Sequence, residues 1–218
     1  MSVGMTPAAI PPETLAAGLA ARILHDIAGP ASGVASAMEL YADTDDPGTR
    51  DAALGLATSS VSALLDMLDF SRRAFGGAQD PLDDRTLRRL ASTQFEGRRA
   101  RLEMTSDLDP FPGPVAQAVL ILAHIAAGGL AAGGFALLTA ARDRETVAVR
   151  VAGEGPGARL AAEVVEGLAG RPLSTGLAGR WAPARYLFAL VATAAGELTA
   201  VAGENRFVLD ATLPLRTV

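Results

Sequence analysis

Large apolar side chains recur along residues 13–42 at helical spacing. Leu19, Ile23, Ile27, Val34, Met38 and Tyr41 gather on one side when successive residues are turned by about 100°. His25 falls on the opposite side and shares its face with Gly18, Ala21, Arg22, Ala28, Gly29, Ser32 and Ser36. The pattern predicts an imidazole facing water over ground almost free of bulk. On periodicity alone, an ordinary surface histidine looks the same. Gly29-Pro30 is the one internal breaker, and a proline within a helix removes a hydrogen bond and crowds the preceding turn, so a bend just after the histidine is expected. Asp43 to Gly48 is a turn by composition, and a second helix is predicted from about Thr49 to Phe75, stopped by Gly76-Gly77.

That second helix is apolar on more than one side. Leu54, Val61, Leu64, Leu65, Leu68 and Phe75 form one stripe, and Leu56, Ala63, Met67, Phe70 and Ala74 form another roughly opposite. A lone helical hairpin buries one stripe per helix. The second stripe therefore needs either a second copy, giving a homodimeric four-helix bundle, or cover from the downstream part of the chain.

Beyond Asp80-Pro81 the pattern is mixed. Asp83 or Asp84 caps a helix running to about Phe95, Arg101 to Thr105 reads as a strand, Asp109 to Pro114 as a loop, and Val115 to Ala127 as a deeply buried helix. Strands follow at Phe135 to Ala141 and Thr146 to Val151, helices at Leu160 to Leu168 and Ala182 to Ala195, and a hairpin of Glu197 to Val201 with Phe207 to Leu213. The expected fold class is α+β: a long helical hairpin over residues 13–78, then a two-layer α/β unit over 79–218, behind a disordered leader at 1–12.

Composition narrows the chemistry. The 218 residues carry no Cys and only two His, which excludes disulfides and makes a thiolate or histidine-rich metal site implausible. Residues 1–79 hold four Arg against nine Asp and Glu, whereas residues 80–218 are balanced. No basic stripe suited to nucleic acid stands out, and Arg98, Arg99 and Arg101 read as solvated strand-edge residues. Met1 to Pro12 lacks the basic start and apolar run of a secretory signal, and no apolar run of membrane-spanning length is free of Gly, Pro or charge, so a cytoplasmic protein without a membrane partner is expected. His124, within an apolar helix, reads as a satisfied core histidine.

The run His25-Asp26-x-x-x-Pro30 on a long helix, followed by a second helix and an α/β unit, resembles the phosphoacceptor hairpin and ATP-binding domain of bacterial sensor histidine kinases. The later segments resemble kinase nucleotide boxes with the chemistry removed. Gln117 to Ala126 follows the box in which two asparagines serve the Mg-nucleotide, but those positions are Ile121 and Ile125, and an apolar side chain cannot hold an oxygen-loving metal. Gly153-Glu154-Gly155-Pro156-Gly157 keeps the glycines of the next box, yet Gly153 stands where its leading Asp would read adenine; Thr175-Gly176-Leu177, Ala195 to Leu198 and Phe207 to Pro214 keep the framework. This combination is similar to the ChpT family of histidine phosphotransferases, as is Phe70 to Gly76 near the end of the second helix.

The resemblance implies a dimeric phosphoacceptor hairpin joined to a kinase-like domain that binds no ATP, with no cofactor of its own. The implied role is a cell-cycle phosphorelay, taking phosphate on His25 from the receiver domain of a hybrid kinase and giving it to response-regulator receivers, which supply the Mg²⁺. A neutral imidazole, whose ordinary pKa is about 6.5, has the lone pair such transfer needs. Asp26 either orients that ring or is a solvated helix residue. Ala21, Arg22, Ala28, Gly29 and Ser32 are the expected receiver-docking ground. In two-helix kinases the residue four after the histidine is often Thr or Asn and positions a hydrolytic water, so Gly29 implies little phosphatase activity. Two other readings use the same residues: a receiver-binding adaptor without transfer, and an active kinase fragment, against which Ile121, Ile125 and Gly153 argue.

Overall fold

The computed structural model describes residues 10–77, 80–173 and 176–215. Most of the predicted leader, the junction at 78–79 and Thr175 lie outside these residues. Helix α1 spans Pro12–Asp43 and continues through Pro30. Helix α2 spans Pro47–Phe75, its first turn capped by Asp46, whose carboxylate accepts from the Thr49 amide at 2.8 Å. Both begin a residue or two earlier than expected because a proline at the first turn gives up no needed hydrogen bond.

The two helices pair as a hairpin in which Leu19, Ile23, Ile27, Val34 and Tyr41 of the α1 arc are buried or half-buried, whereas most of the large apolar residues of α2 face out. Away from its junction with the rest of the chain the hairpin buries small side chains, Ala37, Ala53 and Ala57. At Gly33 an added Cβ would stand 2.7 Å from Ser60 Oγ, so a larger residue there would have to turn that hydroxyl aside. Leu54, Leu56, Val61, Leu65 and Leu68 remain exposed, as do Leu24, Met38 and Leu40 of α1. The expected second stripe splits: Phe70 and Ala74 are buried in the downstream core while Leu56 and Ala63 face out. By length and composition α2 is apolar enough to cross a membrane, with mean hydropathy 1.3 over its most apolar stretch. Its C-terminal half is ion-paired to the next helix through Arg89, which reaches Asp66 at 2.5 Å and Asp69 at 2.7 Å.

The remainder is a two-layer α+β unit. Helix α3 (Asp84–Thr93) is capped by Asp83, followed by β1 (Ala100–Ser106) and α4 (Gly113–Gly129). Strands β2 (Gly134–Asp143) and β3 (Thr146–Glu154) form a hairpin, then come α5 (Ala162–Leu168), a short 3-10 helix (Gly179–Trp181), α6 (Ala182–Thr193), and the hairpin β4 (Glu197–Gly203) and β5 (Arg206–Pro214). The sheet order is β1-β2-β3-β5-β4, with β1 parallel to β2 and the other pairs antiparallel. Ala136, Leu138 and Ala140 of β2, Val147, Val149 and Val151 of β3, and Phe207, Leu209 and Leu213 of β5 point into the core with period two. The other face carries Leu137 and the Arg150–Asp210 ion pair toward solvent. Helix α4 is buried almost all round, as its unbroken apolar sequence predicts.

Candidate functional site

His25 stands on α1 with its side chain 78% exposed. Its Nδ1 lies 3.3 Å from Asp26 Oδ1, and the other Asp26 oxygen accepts from Arg22 Nε at 2.8 Å. Arg22 and Asp26 are one helical turn apart, so the local geometry follows from sequence spacing. An ionised carboxylate only accepts hydrogen bonds. Nδ1 facing Asp26 is therefore the protonated nitrogen of a neutral His25, and the lone pair rests on Nε2. The long contact to His25 is weak, whereas the Arg22–Asp26 pair, its side chains 21% and 14% exposed, is the firm anchor.

The ground around the imidazole is open on one side and closed on the other. Ala28, Gly29 and Ser32 are exposed, and nothing lies within 4 Å of where a Gly29 Cβ would be. Toward the N-terminus the expectation of an empty, solvated face fails. Gly18 is buried, and a Cβ there would sit 3.2 Å from the Ala182 Cβ and 3.3 Å from Leu177. Gly179 of the 3-10 helix rests against Gly18, Ala21 and the amide of Arg22, so Ala21 is exposed only beside that contact. Small residues on a helix face admit a neighbour as readily as a solvent layer.

Below this contact lies a cleft of about 190 Å³ between α1, α4, the start of α5 and the 3-10 helix. Arg22, Arg98, Arg159, Arg180, His124 and Trp181 line it, with Ile125, Gly128, Gly129 and Ala184 among the apolar and backbone surfaces. Arg98 is thus not simply a strand-edge residue, and sequence reasoning missed Arg159, Arg180 and Trp181. The Gly-Arg-Trp run before α6, holding the chain's single tryptophan, was the available signal.

His124 Nδ1 is 2.8 Å from Gln94 Oε1, and the ring sits between Phe70 and Phe75, with centroids at 5.9 and 6.4 Å. It keeps a small solvent-accessible edge toward the cleft but is otherwise enclosed by protein. Burial, reinforced by Arg22 and Arg98 and opposed by Asp26, pushes its pKa down to about 4. It is therefore neutral near pH 7 and donates from Nδ1 to Gln94. Ile121 is wholly buried and Ile125 nearly so. An added Cβ at Gly153 would stand 2.3 Å from the Phe207 ring, the residue paired with it across β3 and β5, so the ring covers that position.

The family model for the histidine phosphotransferase C-terminal domain matches residues 84–206. The chain belongs to the histidine phosphotransferase family. The segment matched runs from α3 to the start of β5, and the hairpin bearing His25 precedes it. A solved bacterial phosphotransferase is similar in fold over nearly the whole chain, with TM-score 0.81 and 21% identity, covering 94% of this chain and 98% of that one. Two histidine kinases are more distant. The histidine kinase domain of the blue-light activated kinase of Erythrobacter litoralis has TM-score 0.49 and 16% identity, covering 85% of this chain and 94% of its own. The Acinetobacter baumannii histidine kinase AdeS has TM-score 0.47 and 13% identity, covering 88% and 98%. A comparison with curated proteins finds no match.

Proposed function

We propose that this histidine phosphotransferase is the intermediate of a phosphorelay, accepting a phosphoryl group on His25 from the receiver domain of a hybrid kinase and passing it to response-regulator receivers of a cell-cycle circuit. The observation that carries this reading is the exposed imidazole of His25 standing beside an Asp26 carboxylate that Arg22 anchors. The Nε2 lone pair attacks the phosphorus of a receiver's aspartyl phosphate, the N–P bond forms as the acyl P–O bond breaks, and the aspartate leaves as a carboxylate. Asp26 retains the Nδ1 proton and balances the positive charge that builds on the ring. Delivery to the next receiver is the same exchange reversed. The receiver brings the Mg²⁺, and this chain contributes placement of the nucleophile.

In this reading the chain does not phosphorylate itself from ATP. Apolar Ile121 and Ile125 offer a metal no oxygen, and the Phe207 ring fills the space over Gly153 where an adenine-reading side chain would project. The protein acts in the cytoplasm as a homodimer, paired through the outward apolar residues of the hairpin, Leu54, Val61, Leu65 and Leu68. Its partners are receivers rather than nucleic acid or membrane.

The test is incubation of the dimer with a receiver domain carrying labelled phosphate. Label should appear on the native chain and be absent from His25→Ala. Asp26→Asn should slow transfer severalfold, by removing the carboxylate beside Nδ1 that balances the charge building on the ring. Receiver binding without label on the native chain would establish the adaptor instead.

A further inference from the structure

The cleft beneath the 3-10 helix is a concentration of positive charge in a chain of formal net charge −5. Four arginines line it, and no carboxylate does. Three of them, Arg98, Arg159 and Arg180, form no ion pair with any described residue, so their charge is uncompensated there. The Arg180 guanidinium carbon stands over the Trp181 ring, 4.4 Å from its centroid, a cation–π contact that holds this arginine at the cleft wall. The Trp181 indole N–H is shut off from solvent and has no acceptor among the described residues. His124, neutral and donating from Nδ1 to Gln94, adds no carboxylate to the wall. Everything charged in the cleft is a donor of positive sign.

We propose that this cleft is a binding site for a small phosphate-bearing anion, taken without a divalent metal. Guanidinium groups match phosphate oxygens in pairs, and a cleft of about 190 Å³ is on the scale of a small bound molecule. With Ile125 in the lining and no carboxylate beside it, the cleft offers a divalent metal no side-chain oxygen, and the arginines supply the positive charge that an anion needs. The site is separate from His25 and does not depend on phosphoryl transfer. It meets the phosphoacceptor through Arg22, which lines the cleft and holds Asp26.

Trp181 is the sole tryptophan and lines the cleft, so its emission reports occupancy in the intact protein. Pyrophosphate, inorganic phosphate and ADP, each titrated in EDTA at constant ionic strength, should change that emission saturably for at least one of the three, which also tells free phosphate from a nucleotide-borne diphosphate. Arg159→Glu should weaken the best of them at least tenfold with an unchanged circular dichroism spectrum. Arg101→Glu, an exposed arginine outside the cleft, should bind as the native chain does. His25→Ala should also bind normally, which separates this site from the phosphorelay reading. No saturable change with any ligand, equal binding by folded Arg159→Glu, or equal weakening by Arg101→Glu would overturn the proposal. Should Arg159→Glu misfold, Arg180→Gln takes its place under the same criteria.

Discussion

Replacing His124 by glutamine should flatten the pH dependence of stability between about pH 6.5 and pH 4. The unfolded ring titrates near the ordinary histidine value of 6.5, and the folded ring near about 4. Between those limits the unfolded chain binds the extra proton and the native chain does not, so stability rises with pH. The contribution is fully present above about pH 6.5 and is lost as pH falls toward 4. A gap of that size corresponds to about 3.5 kcal/mol at most, at about 1.4 kcal/mol per unit, and the ring's open edge toward the cleft reduces it. Glutamine keeps a donor for Gln94 and loses the ring between Phe70 and Phe75, so the variant should be less stable than native at pH 7.5 by about 1–2 kcal/mol. The two curves should then converge as the pH is lowered. Urea unfolding at pH 7.5, 6.0, 5.0 and 4.5 measures this. The window is clean of the two carboxylates with resolved shifts: Asp46, bonded by the Thr49 hydroxyl and amide, and Asp83, bonded by Thr86, are both held below their usual value of 3.8. His25→Ala, run in parallel, removes the other histidine. A native curve parallel to that of His124→Gln would refute the argument.

Leu65→Glu, at a side chain 61% exposed in one chain, should give monomers by light scattering with the hairpin still helical; an unchanged dimer would place the seam elsewhere. Ser32→Trp, on the exposed side of His25, should slow transfer from a phosphorylated receiver severalfold with the melting temperature nearly unchanged, and a native rate would mean that the receiver docks another way. Gly29→Asn fits without contact and supplies the side chain a hydrolytic water needs, so it should raise phosphate release from a receiver on a His25→Ala background at least severalfold; His25→Ala alone should leave the receiver's own rate unchanged, and an accelerated rate there would end the assignment of Gly29 as a lost phosphatase position.

What could be read from the sequence followed periodic or punctuating residues. The cap at Asp83, the glycine stop after Phe75 and the alternation in β3 and β5 placed elements, and helical spacing put His25 opposite the apolar arc, whereas the helix starts at Pro12 and Pro47 fell within stretches that composition assigned to a leader and a turn. The tightest part of the hairpin seam was hidden because Ala37, Ala53, Ala57, Gly33 and Ser60 contribute little to any apolar pattern, while Leu54, Leu56, Val61, Leu65 and Leu68, which dominate that of α2, face outward. The docking of Gly18 against Leu177 and Ala182 was hidden for a related reason, since glycine marks both bare surface and close approach. Assembling the arginine cleft takes side chains at 22, 98, 159 and 180, and only the tertiary fold brings them together.

The hairpin and the sheet unit are bolted at two places. At one end Gly18 sits under Ala182, with the Gly179 turn against Arg22; at the other Phe70 and Ala74 enter the downstream core, Arg89 grips Asp66 and Asp69, and the Gln117 amide donates to the Gly76 carbonyl at 2.9 Å. A catalytic domain that had to carry a nucleotide to its own histidine would need a swivel at this junction. Here the swivel is welded, so hairpin and sheet should tumble with one rotational correlation time, and in the proposed relay a receiver would meet a fixed wall beside His25 instead of a moving one.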